Sequence, residues 1–207
     1  MSEEPLSRTK ILEEFSKIVE NHCEISAYVE AKLCGKCTEA DDAEWESRRK
    51  KAFQLYKNAI ERYKFSKMLP RDELGIMIQA SISYMFKLHH SLGEVLLIID
   101  MLGDDTFGEI YMDSFTALSS HVTEQFGMLK KLIDIRMAST DAGKAELDSI
   151  VKLERQVDED NIVMCRQISV KTGGESDYTC YMMRKIVAEL EHISDYIKEC
   201  AEIIADI

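Results

Sequence analysis

A chain of 207 residues, 45% of them hydrophobic, is long enough to bury a continuous core as one large domain or two small ones. Its net charge of -12 argues against a nucleic-acid phosphate binder, which needs a basic stripe to release counterions, and points to cations or basic protein surfaces as partners. The opening MSEEPLSRTK lacks the form of a secretion signal, and no segment reaches the ~18 uncharged apolar residues of a membrane span, so a cytoplasmic protein without direct membrane insertion is expected.

Pro5 and Pro70 are the only prolines, so little in the chain forbids long helices. Polar and glycine-bearing clusters supply the other breaks: CGKCTEADD around Gly35, MLPRDE at Pro70, LGDDTFG from Gly103 to Gly108, STDAGK at Gly143, and KTGGESD at Gly173 and Gly174. These five turns separate six predicted helices, each about 30 residues and about 45 Å long. In helix 1, Ile11, Phe15, Ile18, His22, Ile25 and Val29 recur at alternating steps of four and three. Cys34 and Cys37 follow it with the spacing of half a zinc site or a redox motif. No second CxxC completes a zinc site and no βαβ pattern surrounds this one, so the six cysteines read as reduced core residues.

Helix 2, with WESRRKKAFQLYKNAI, is basic. Its run Arg48, Arg49, Lys50 and Lys51 reads either as a solvated face or as a contact for an acidic surface. In helix 3 the seam is Ile78, Ile82, Met85, His89, Leu92, Leu96 and Ile99, with Asp72 and Glu73 at the start, where the helix dipole favours anions. Asp141 lies near the start of helix 5, whose seam runs Leu147, Ile150, Glu154, Val157, Asn161, Met164, Ile168. Helix 6 carries Ile186, Leu190, Ile193, Ile197, Cys200, Ile204 and Ile207. Sustained steps of four and three make the seams of antiparallel bundles. The break at 103 to 108 divides the chain into three helices and three helices. The expected fold is therefore all-α, two tandem antiparallel three-helix bundles, with residues 6–104 in the first and 108–207 in the second.

Two acidic pairs stand out. LERQVDED on helix 5 sets Glu154 and Asp158 one turn apart, and ELEHISDYIKEC on helix 6 does the same with Glu191 and Asp195. Facing helices that each project two carboxylates suit a hard or borderline cation such as iron, manganese or magnesium. On a helical wheel Glu191 and Asp195 lie away from the seam and read as a solvated face. Glu154 lies on a seam, where a buried charge demands a partner, either a metal or a basic side chain such as Arg155 or Arg184. His22 and His89 on their seams read as hydrogen-bonded core histidines, and His90 with Glu94 as an exposed helix pair. Glu189 and His192 form a single E-x-x-H, where a ferritin-like oxidase needs two on separate helices. No GxSxG elbow, phosphate loop, dinucleotide fingerprint or HExxH occurs, so an enzyme is not expected.

These two acidic motifs in their surroundings resemble the PhoU-like family of phosphate-transport regulators. LDSIVKLERQVDEDNIVMCRQI is similar to the family's helix with an E-x-x-x-D motif, matching Glu154 and Asp158. VAELEHISDYIKECAEII is similar to the helix usually written ERIGDHAxNIAE, matching Glu191 and Asp195, with His192 in place of Arg, Ser194 of Gly and Tyr196 of His. KMLPRDELGIMI resembles the turn between helices 2 and 3 in members that accompany Pit-type transporters. The resemblance implies a six-helix, non-enzymatic regulator of inorganic phosphate uptake. It also implies contact with a phosphate transporter or associated sensor protein, frequent homodimers, and a metal ion or small metal cluster on a bundle surface, of iron or another divalent metal. It implies a location at the membrane periphery through the transporter. In the first half the acidic motif is lost on basic helix 2 and only Glu94 aligns, so one metal site, in the second half, is expected.

Overall fold

A computed structural model of the protein describes residues 7–65, 72–103, 112–139, 142–174 and 177–207. Six α-helices account for nearly all of them: α1 (Arg8–Leu33), α2 (Glu39–Phe65), α3 (Glu73–Leu102), α4 (Met112–Ala138), α5 (Lys144–Lys171) and α6 (Tyr178–Asp206). No strand occurs among the described residues. The expected boundary at 104–108, the Pro70 turn, Pro5 and Asp141 lie outside them.

The helix starts follow local chemistry. Ser7, Asp72 and Asp177 adopt extended backbone, and their side chains accept from the backbone N–H of Lys10, Gly75 and Cys180, so each satisfies a donor that the first turn leaves orphaned. Asp72 thus caps α3 from just outside it, while Glu73 lies in its first turn. Before α5 the cap is Gly143 at φ +112°, a conformation that a side chain resists.

The seams read from sequence are the buried faces. Ile11, Phe15, Ile18, His22, Ile25 and Val29 of α1 are all buried, and so are Ile186, Leu190, Ile193, Ile197, Cys200 and Ile204 of α6. In α3, Ile78, Met85, Leu92, Leu96 and Ile99 are buried, whereas Ile82 and His89 are only partly so. One core cluster links residues of all six helices.

Polar contacts record how the helices run. Between α1 and α4, Ser16 donates to Asp134 (3.0 Å), Ser26 meets Thr123 (2.9 Å) and Cys34 meets Thr116 (3.2 Å), an ascending and a descending number in each pair that marks an antiparallel contact. Glu94 with Lys185 and Tyr84 with Tyr196 show the same for α3 and α6. Both contacts cross from the first three helices to the last three. Helices α4, α5 and α6 also pack on one another, with α5 reaching α4 through His121 and Asp160 at 2.9 Å. Helix α2 lies outermost. Among its described side chains only Ala52 is buried, and its clearest anchors are Tyr28 stacked on Trp45 and Asp42 accepting from Tyr28 and Lys32.

The six cysteines are free thiols, as expected; Cys34 is buried and Cys37 half-buried. One expectation for the core is corrected: His22 is only 2% exposed, yet its Nδ1 has no hydrogen-bond partner. It sits between the rings of His89 and Phe126 beside a small cavity closed by Ala52 and Leu55 of α2. Desolvation, helped by His89, lowers its pKa to about 3.

Candidate metal site between α5 and α6

Helix α5 brings Glu154 to the α6 interface because the residue stands in the stripe Ile150, Leu153, Val157, which packs into the core. Its carboxylate is therefore buried, at 7% exposure for the residue. The partner is neither Arg155 nor Arg184, the two cations near in sequence or motif. Lys198 of α6 donates from Nζ to Glu154 Oε1 at 2.6 Å. Its long stem lets an ammonium enter from α6 while the residue's own backbone stays on the bundle's flank.

Asp158, one turn further along α5, is half-buried, and so are Glu191 and Asp195 on α6. Charges of the two pairs act on one another across the α5 and α6 contact. Burial raises the pKa of Asp158, and the charge of Glu154 raises it further, against the pull of Lys198. Burial also raises Glu191, followed by Asp195, Asp158 and Glu154, and it raises Asp195, followed by Glu154 and Asp158. Each of these three carboxyls is thus held above its ordinary range by lost solvation and by like charge. Glu191 and Asp195 are not the fully solvated pair that the helical wheel suggests. They border α5.

Lys198 is hydrogen-bonded to Glu154, and its charge also acts on Asp158 and Asp195. All-oxygen donors of this kind suit a hard cation in chemistry, and the three carboxyls are raised first by lost solvation and only then by like charge. As they stand, no three His, Cys, Asp or Glu side chains among the described residues are close enough to hold a metal ion. Glu154, Asp158, Glu191 and Asp195 would be the residues to hold one, with Glu154 released from Lys198. Such a cation would supply charge neutralisation and oxygen coordination across the two helices.

Lys198 is the residue that reading the acidic motifs alone misses. The signal was present in the sequence: it follows Glu191 by seven and Asp195 by three, which puts all three on one stripe of α6.

The remaining candidates fall elsewhere. Glu94 accepts from Lys185 of α6, so the carboxylate that aligns with Asp195 is already paired, and His90 stands 3.7 Å from its second oxygen. Lys185 lowers the pKa of Glu94 chiefly through that hydrogen bond. His192 is exposed on the flank of α6, 3.9 Å from both Glu189 and Glu191. Arg48 and Arg49 pair with Glu44 and Glu46 of their own helix, which leaves the basic run on an exposed face.

No family model matches the chain, and no curated protein matches it. Among the described residues, no helix is long and apolar enough to cross a membrane.

Proposed function

We propose that the protein is a non-enzymatic accessory regulator of inorganic phosphate transport whose second three helices bind one hard divalent cation through Glu154, Asp158, Glu191 and Asp195. The observation that carries this reading is the juxtaposition of the two pairs. The E-x-x-x-D of α5 and the matching acidic pair of α6 lie on helices that pack on one another, with Glu154 buried and reached by Lys198 of α6. The six-helix order that the PhoU-like resemblance implies supports it from a different direction.

The functional role would be contact with a transporter or its sensor. Phe86, Leu97 and Met101 share one side of α3, and all three are exposed, so an apolar strip is available to a partner or to a second copy in a homodimer. The test is phosphate uptake in cells lacking the protein, restored by the wild-type chain but not by one carrying E154A, D158A, E191A and D195A. Unchanged uptake on deletion would remove the transport reading. Metal analysis of both proteins addresses the site, and equal, negligible metal would remove the cation.

A specific observation also favours a metal-free helical adaptor: Lys198 already neutralises Glu154. In that case the transporter contact survives chelator and the four carboxylate changes, and is lost when the charges of Arg48, Arg49, Lys50 and Lys51 are reversed.

A further inference from the structure

We infer that α2 is an acid-released lid: a proton on His22, the imidazole buried beneath it, detaches the helix from α1 and α3. None of the residues involved belongs to the carboxylate set of α5 and α6, so the lid and the cation site stand or fall separately.

His22 is 2% exposed, and its Nδ1 has no hydrogen-bond partner. The ring lines a cavity of about 10 Å3 whose other walls are Ile18 and Asn21 of α1, His89 of α3, and Ala52 and Leu55 of α2. Helix α2 therefore supplies the outer wall. No carboxylate is among these residues, and the ring's aromatic neighbours are His89 and Phe126, with centroids 5.9 and 5.8 Å away. An imidazolium would find no counter-ion in that wall and room for no more than one water, so the ring stays neutral while the lid is shut. Of the charged groups among the described residues, His89 acts on His22, and His90 acts in turn on His89; protonated, all three carry the same sign. Lys50 and Lys51, next to Ala52 on α2, are exposed and positive as well.

The lid is lightly held. Among the described side chains of α2 only Ala52 is buried, and the start of the helix is tied down by Tyr28 stacked on Trp45 and by Asp42, which accepts from Tyr28 and Lys32. These ties do not titrate in mild acid, because the hydrogen bonds from Tyr28 and Lys32 hold Asp42 below the ordinary carboxylate range. The imidazole does. It takes one proton from water once α2 has lifted and the ring is hydrated, where its ordinary pKa of about 6.5 applies. Each pH unit below that value favours the lifted state about tenfold. Falling pH thus loosens the lid while its anchors keep their charges, and what it uncovers is the His22 face of α1 and α3.

The test is amide hydrogen exchange of the full chain at pH 7.5 and pH 5.5, corrected for the intrinsic effect of pH on amide chemistry. Protection of residues 46–58 in the wild type is expected to fall about tenfold between the two, while residues 186–200 keep theirs. In H22L the fall should be less than about threefold, because nothing beneath the lid takes up a proton. If H22L does not fold, H22Q, whose polar side chain does not titrate, takes its place. Wild-type protection of 46–58 that holds within about threefold would overturn the inference. So would a fall in the His22 variant as large as that of the wild type, which would assign the acid response to another group.

Discussion

Lys198 Nζ on α6 stands 2.6 Å from Glu154 Oε1 on α5, an ion pair whose acidic member is almost wholly out of water. Removing only the base strands a buried carboxylate, whereas removing both leaves an apolar contact between two helices. K198M alone is therefore expected to destabilise the metal-free protein by about 1–2 kcal/mol, discounted for the lysine's partial exposure. K198M combined with E154L should recover most of that. Urea unfolding of the two single variants and the double variant gives the coupling directly, and additive effects would show that the pair contributes nothing of its own.

The three carboxyls around that pair make an opposite prediction. Asp158, Glu191 and Asp195 have folded-state pKa values above their ordinary ones, so the folded chain holds protons more tightly there than the unfolded chain. Their contribution favours folding at pH below the ordinary carboxylate range. It is lost as pH rises through that range to the raised values, and at neutral pH they oppose folding. D195N and D158N should each stabilise the metal-free protein at pH 7, by a few tenths to about 1 kcal/mol after solvent screening. The gain should vanish near pH 4. Melting curves at the two pH values decide it.

His22 supplies the acid limit. Its pKa falls from 6.5 to about 3 on burial, so its stabilising contribution is complete above pH 6.5 and drains away as pH falls toward 3. Each unit of pH in that window costs about 1.4 kcal/mol while the imidazole stays buried and neutral. H22L, which removes the titrating group from between His89 and Phe126, should flatten the stability profile between pH 6.5 and 4. A profile as steep as wild type would place the acid sensitivity elsewhere.

Two glycines make a contrasting pair. A Cβ on Gly143, already at φ +112°, would meet Leu132 Cδ1 at 2.6 Å, so G143A should cost roughly 1–3 kcal/mol through strain and displaced packing. Gly93 lies within α3 with nothing within 4 Å of a Cβ there, and G93A should stabilise by about 0.5–1 kcal/mol from helix propensity. Chemical denaturation of each variant measures both.

Helix α2 should open first. With only Ala52 buried among its described side chains, little apolar burial opposes its local release, in contrast to the eleven buried residues of α6. Backbone amides of residues 46–58 are expected to exchange with deuterium well before those of 186–200, and equal protection would refute the loose attachment.

Much of the fold was legible because the helices are long and their seams strict. Steps of four and three through Ile11 to Val29, or Ile186 to Ile207, leave no competing periodicity. Glu154 was legible as a buried charge for the same reason. Its partner was not, because a helical wheel reports which face a residue occupies and nothing about what the neighbouring helix presents to it. The long stem of Lys198 crossed that gap, while Arg155, adjacent in sequence, points elsewhere and is exposed. The unpaired Nδ1 of His22 also escaped the sequence: a seam position implies burial, but hydrogen bonding depends on the few atoms that surround the ring.

The packing of α1 on α4 and of α3 on α6 makes each half of the chain the other's shelter from water. Cut between α3 and α4, neither fragment could hide the stripe it had shown its counterpart, and each would seek the other. The expected behaviour of a nicked chain is to hold together and melt as one body, its integrity residing in the seam between halves more than in the peptide that connects them.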